Sequence, residues 1–382
     1  MIQRDAKASS PGGGVGGVVK TAGGSRNISL QALRGAAACS VMIYHASHFT
    51  TQKTGALWLE EAFSSRLGLY GVLVFFVLSG FLMEGAVRRY DATTFVLHRF
   101  VRLYPTYWVL FFLFFLIQSF RIGTWDVVPW KALTLLPLGE MFRPLHAEWT
   151  LLYEVFFYAI CAVACVWKRV YPPVLLVWLT IVAVAFFAFG QYGTSMQPTL
   201  LQIPFSVWNV GFICGSLGGI RNRSKWRSDP ALLWLAGVSL VLLGELAMPG
   251  TKLFLAGPGF TCIVVALVRA PRMTEPGIGM RVMFLLGEYS YGLYLAHALS
   301  IQLVLVYLPA SLWSQPVAVF AGMIGVGLGV GILAGSIDVA LYGVLKNRID
   351  HWSRRRLAAR EARAALTTAD TAGAVSQPTE IA

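Results

Sequence analysis

Charge is scarce in this 382-residue chain: 13% of residues are Asp, Glu, Lys or Arg, 56% are hydrophobic, and the mean hydropathy is +0.64. No soluble domain hides that much apolar surface in its core, so an ordinary globular protein is excluded. Acid is the scarcer sign, with 18 Asp and Glu against 31 Lys and Arg. The five cysteines (Cys39, Cys161, Cys165, Cys214, Cys262) lie in apolar stretches without paired ligand spacing, which reads as small core residues rather than a metal site or disulfides. There is no Gly-x-Ser-x-Gly elbow, no phosphate-binding Gly-rich loop followed by Lys and Ser or Thr, and no His-Glu-x-x-His zinc helix. The first 26 residues are Gly/Ser-rich and lack the apolar stretch of a cleaved signal peptide, so residues 1–27 are expected to be a disordered cytoplasmic tail.

What the chain has in abundance is apolar runs of 17 to 25 residues. A helix of about 20 such residues crosses the roughly 30 Å hydrocarbon core, and lipid offers no partner for backbone groups left outside a helix. The expected fold class is therefore all-α: a polytopic membrane protein with about ten transmembrane helices. They are placed near 30–50, 68–87, 103–120, 149–167, 173–190, 202–220, 230–248, 252–269, 286–308 and 316–345. An even number puts both termini on one side. With those termini cytoplasmic, 24 of the 31 Lys and Arg fall in cytoplasmic segments and six outside, while Arg34 lies in the first span. This asymmetry accounts for the formal charge of +13 through membrane lipid, without nucleic acid. Residues 28–350 are expected to form one transmembrane domain, and 351–382 a basic, largely flexible cytoplasmic tail.

Ionisable residues inside a membrane are expensive, which makes each a functional candidate. Arg34 and His45 lie eleven residues apart in the first span, about 1100° of helical rotation and 16 Å of rise. They share one face, the arginine near the cytoplasmic interface and the histidine in the outer half. The bland alternative is an arginine that snorkels and a histidine satisfied by a helix contact. Glu154, about one and a half turns into the fourth span, is expected at the depth of His45, where a carboxylate orients an imidazole for general-base work on a hydroxyl. The bland reading of Glu154 is a protonated carboxyl hydrogen-bonded in the bundle. In "LHRFVRLYPTYW", His98, Arg99 and Arg102 precede the third span; they are either plain inside-positive charge or guanidinium forks for phosphate at the bundle mouth. His297 stands seven residues after Ser290 in the ninth span, as a packed core histidine or a site residue.

Five segments in order resemble the membrane acyltransferase-3 family of bacterial inner-membrane enzymes that O-acylate exported polysaccharides. "LQALRGAAACSVMIYHA" is similar to its first-helix pattern, "GVLVFFVLSGFLM" to its second, "RFVRLYPTYW" to its third, "EWTLLYEVFFY" to its fourth and "LGEYSYGLYLAH" to its ninth. The fourth most resembles the exopolysaccharide-production branch. The resemblance implies that His45 is the catalytic histidine and that Arg34 and Arg102 help hold acyl-CoA. Beside these, Glu154 is expected as the second catalytic residue, and Arg99, Trp149, Tyr153 and His297 as further substrate- or acyl-CoA-binding residues. The family commonly has two arginines four apart in the third motif; here His98 occupies the first position with Arg99 next to it. A glutamate of its last span is replaced by Asp338.

The expected reaction moves an acyl group, acetyl first, from cytoplasmic acyl-CoA to a hydroxyl of an exported or lipid-linked saccharide. Acyl-CoA is then a co-substrate, with no tightly bound cofactor and no metal. Expected partners are that donor, the saccharide or lipid-linked glycan acceptor, membrane lipid, and either glycan assembly proteins or a second copy of the chain. A multi-span transporter or exporter is the rival class, but no pair of interrupted helices in matched halves supports it.

Overall fold

The computed structural model describes residues 27–63, 65–122, 130–140, 145–190, 195–224, 228–248, 250–271 and 276–375. Apart from Asn27, the expected N-terminal tail lies outside them. The described residues form α1 Ile28–Thr54, α2 Leu57–Ala62, α3 Ser65–Arg89, α4 Ala92–Ile122, α5 Trp149–Val166, α6 Tyr171–Phe189, α7 Asn209–Asn222, α8 Pro230–Leu246, α9 Lys252–Arg269, α10 Ile278–Glu288, α11 Ser290–Tyr307 and α12 Pro316–Val375. The chain is all-helical. Among the described residues, seven helices are long and apolar enough to cross a membrane by length and composition. Large apolar side chains such as Phe187 of α6 and Leu242 of α8 lie open on the outside of their helices, the arrangement that suits a lipid-facing surface.

Helix ends follow local chemistry. Asn27 caps α1 by accepting from the Leu30 amide at 3.2 Å, and Gly55, at φ 74°, closes it in the left-handed region that glycine enters freely. Asp229 caps α8 ahead of Pro230, which needs no amide partner at a first helical position. Pro105 in α4 and Pro258 in α9 sit mid-helix, as buried membrane helices tolerate.

Three expectations need correction. The sixth span, expected over 202–220, is helical only as α7, whose 14 residues rise about 21 Å. A 3-10 turn at Ile203–Phe205 replaces its first part, held by Trp178 Nε1 donating to the Pro204 carbonyl at 2.7 Å. The ninth span, expected from 286 as one helix, is interrupted at Tyr289, where α10 ends and α11 begins. α10 packs on α1 so closely that a Cβ on Gly287 would lie 1.9 Å from the Gln31 carbonyl oxygen. Finally, the tail expected to be flexible from 351 continues α12 as far as Val375. Its Ala, Arg, Glu and Leu content favours helix, and its first turn is tied to α4 by Thr94–Ser353 at 3.0 Å, next to the His98–Asp350 pair at 3.0 Å.

Small residues set the distances between helices. Lipid supplies no hydrophobic drive for helix association, so close backbone approach does that work. Gly80 of α3 and Gly215 of α7 each sit where a Cβ would be 2.1 Å from a carbonyl oxygen of the other helix. In α12, Gly327, Gly331 and Gly335 recur every four residues; Gly335 meets Tyr289 and Gly331 meets Leu293. α11 is thereby drawn into the bundle centre, and every residue from Ser290 to Ile301 is buried.

Candidate active site

Helices α1, α3, α4, α5 and α11 line an open cavity of about 120 Å³. Its polar lining comprises Arg34 from α1, Ser79 from α3, Arg99 and Arg102 from α4, Thr150, Glu154 and Tyr158 from α5, and Ser290, Tyr291 and Tyr294 from α11. Three arginines expected from two separate sequence motifs thus face one volume. His98 does not; it turns from the cavity to Asp350 of α12, so Arg99 is the residue of that pair which enters the site.

The arginines differ in their surroundings. Arg102 Nη1 donates to Asp338 at 2.5 Å, and Thr106 Oγ1 donates to the same carboxylate at 2.7 Å. Its guanidinium also lies over the Tyr291 and Tyr342 rings, at 4.9 and 5.3 Å from their centroids. Arg34 is steadied by Gln31 Oε1 at 3.4 Å. Arg99 lies over Phe95 and Tyr158, and its Nε is a buried donor without an acceptor among the described residues. No ion pair of the described residues includes Arg34 or Arg99. With Asp338 offsetting Arg102, the lining carries two arginines against Glu154. A cavity walled by apolar side chains with surplus positive charge is a seat for an anion.

Glu154 belongs to this cavity. Its carboxylate accepts from Ser79 Oγ at 3.2 Å and from Tyr158 Oη. The expected pairing with His45 rested on equal depth below the outer helix ends. α1 runs on past His45 to Thr54, and Glu154 lies in the second turn of α5.

Across the helix interface His45 meets the ring of His297, with centroids 4.9 Å apart. Each histidine has Nδ1 against a carbonyl of its own helix, His45 to Val41 at 2.9 Å and His297 to Tyr294 at 2.5 Å. A carbonyl only accepts, so Nδ1 carries the proton and Nε2 is the basic nitrogen of each neutral ring. Tyr294 joins this pair to the cavity: it lines the cavity, bonds Thr150 Oγ1 at 2.9 Å, and its ring lies 5.7 Å from His297.

Trp149 and Tyr153 lie in an aromatic cluster beside the cavity, not in its lining. Trp149 packs on Trp208 at 4.9 Å, and Tyr153 donates to the Ser195 carbonyl at 2.8 Å. Thr150, Tyr158, Ser290, Tyr291 and Tyr294 escaped the sequence reading because hydroxyl-bearing residues carry no charge to mark them in an apolar run. All five cysteines are free.

Comparison with known proteins bears on this geometry. The profile of the acyltransferase-3 family, described as an acyltransferase domain, matches residues 27–335. The "Exopolysaccharide production protein ExoZ" of Rhizobium meliloti (strain 1021) is 26% identical over 364 residues, covering 88% of this chain and 100% of that protein. The "Acyltransferase MdmB" of Streptomyces mycarofaciens is 28% identical over 313 residues, covering 72% of this chain and 79% of that protein. No solved structure matches the chain.

Proposed function

Because this chain belongs to the acyltransferase-3 family, we propose that it is a multi-pass enzyme of the bacterial inner membrane that moves an acetyl group from cytoplasmic acyl-CoA to a hydroxyl of an exported or lipid-linked saccharide. One observation carries the reading: Arg34, Arg99 and Arg102 share a cavity whose wall at Tyr294 touches His297, which touches His45. Guanidinium forks suit the donor's phosphates, and the thioester arm extends along α1 and α11 toward the histidines. The rise of about 16 Å from Arg34 to His45 is the span such an arm must cover. The exopolysaccharide relative favours a saccharide acceptor.

His45 acts as general base. Its Nδ1–H donates to Val41, so Nε2 takes the proton from the acceptor hydroxyl as that oxygen attacks the thioester carbonyl. The carbon–sulfur bond then breaks, the acyl group stays on the acceptor oxygen, and the proton passes to the departing thiolate. An acyl-histidine route splits the same transfer into two steps at the same nitrogen. Glu154 offsets part of the arginine charge.

The test is H45A in the full-length protein. Exported glycans of cells carrying the wild-type or mutant gene are compared by mass spectrometry, with protein level and unfolding monitored alongside. A folded H45A protein is expected to lose acylation completely. Retained acylation would remove His45 from the chemistry, and glycans unchanged on deleting the gene would remove the saccharide as acceptor.

A further inference from the structure

A buried donor in the cavity wall has no acceptor. Ser290, fully buried, turns its Oγ toward no hydrogen-bond partner among the described residues. It is the first residue of α11, and the amides of Ser290, Tyr291 and Gly292 are the first-turn donors that an α-helix leaves without intrahelical carbonyls. Ser290 and Tyr291 line the cavity, so the first turn of α11 forms part of its wall.

The height of this helix end is set on both sides. Gly287, three residues before Ser290, packs against the Gln31 carbonyl and Gly35 of α1, the turn that carries Arg34. Opposite, Tyr291 Oη donates to the Leu103 carbonyl at 2.7 Å, and the Arg102 guanidinium covers the Tyr291 ring. Arg99 Nε, also facing this cavity, is another buried donor without an acceptor among the described residues. Two buried donors without acceptors among the described residues, the first turn of α11 and surplus positive charge converge on one cavity.

We infer that Ser290 and the first turn of α11 seat a phosphoryl group of the acyl donor, alongside Arg99 and Arg102; the inference rests on the acyl-transfer reading of this cavity. Phosphate oxygens accept from hydroxyl, amide and guanidinium together, and they supply the negative charge that a neutral amide of the donor arm lacks. Ser290 is a binding residue with no part in proton transfer. His297 lies seven residues further along α11, nearly two turns and about 10 Å away.

The experiment uses the full-length protein in lipid nanodiscs and titrates three probes by calorimetry: coenzyme A, 4′-phosphopantetheine and pantetheine. Alanine keeps the backbone of Ser290 and forfeits only the hydroxyl. S290A is expected to weaken both phosphorylated probes roughly tenfold and leave pantetheine unchanged. R99Q, as a second variant, should weaken the same two. In turnover, S290A should raise KM for the donor at unchanged kcat. An S290A protein that binds all three probes like wild type overturns the seat and leaves the acyl-CoA reading standing. Equal weakening of all three, pantetheine included, also overturns it by making Ser290 a piece of wall. Wild-type protein that binds none of the probes removes the acyl-CoA reading and the seat with it.

Discussion

Replacing Asp338 with alanine measures how far the site depends on one buried ion pair. The carboxylate is 1% exposed and takes Arg102 Nη1 at 2.5 Å and Thr106 Oγ1 at 2.7 Å. Without it, an arginine side chain only 18% exposed stays in the bundle without its counter-charge. Removing one partner of a buried pair costs about 3–5 kcal/mol, and the orphaned Thr106 hydroxyl adds about 1 kcal/mol. D338A should therefore lose about 4–6 kcal/mol of stability. Removing both charges leaves none uncompensated, so D338A/R102M should regain about 2–3 kcal/mol of that loss. The assay is unfolding of the purified full-length protein in mixed micelles of rising denaturing detergent, followed by circular dichroism, with donor binding measured on the same samples. The double variant is expected to be folded yet poor at binding donor. Single-variant losses that simply add, or a D338A loss below about 1 kcal/mol, would refute the view of Arg102 and Asp338 as a mutually dependent buried unit.

Glycine positions along α12 should split sharply. G335V places a side chain where a Cβ already meets Tyr289 Cβ at 2.4 Å, so α11 must shift, at a cost of about 1–3 kcal/mol and with loss of acyl transfer. G325V, on the same helix with nothing within 4 Å, should change neither; similar unfolding and activity in the two variants would contradict this packing. E154Q keeps the shape of the Ser79 and Tyr158 contacts but removes the negative charge, and should tighten coenzyme A binding about threefold through the added net positive charge. Its kcat should stay within tenfold of wild type; a fall matching that of H45A would return Glu154 to the histidine.

Much of this protein can be read locally. Apolar runs announce membrane helices because length and hydropathy are properties of each segment alone. The shared face of Arg34 and His45 follows from helical periodicity within a single element. The motif order that marks the family is likewise a property of the chain, and it includes the arginines of α1 and α4 that line the cavity.

What the segments could not determine is how each helix is turned and raised against its neighbours. In water a helix declares its inner face by polarity, but here the lipid-facing and core-facing sides are both apolar, so a span's pattern leaves its rotation open. Only the packed bundle decided that Glu154 joins the arginines and that His297 stands beside His45. The break at Tyr289, the four-residue glycine spacing of α12 and the extension of α1 to Thr54 set those offsets. They act through close backbone contact between segments distant in sequence, which depends on two helices at once and is visible in neither alone.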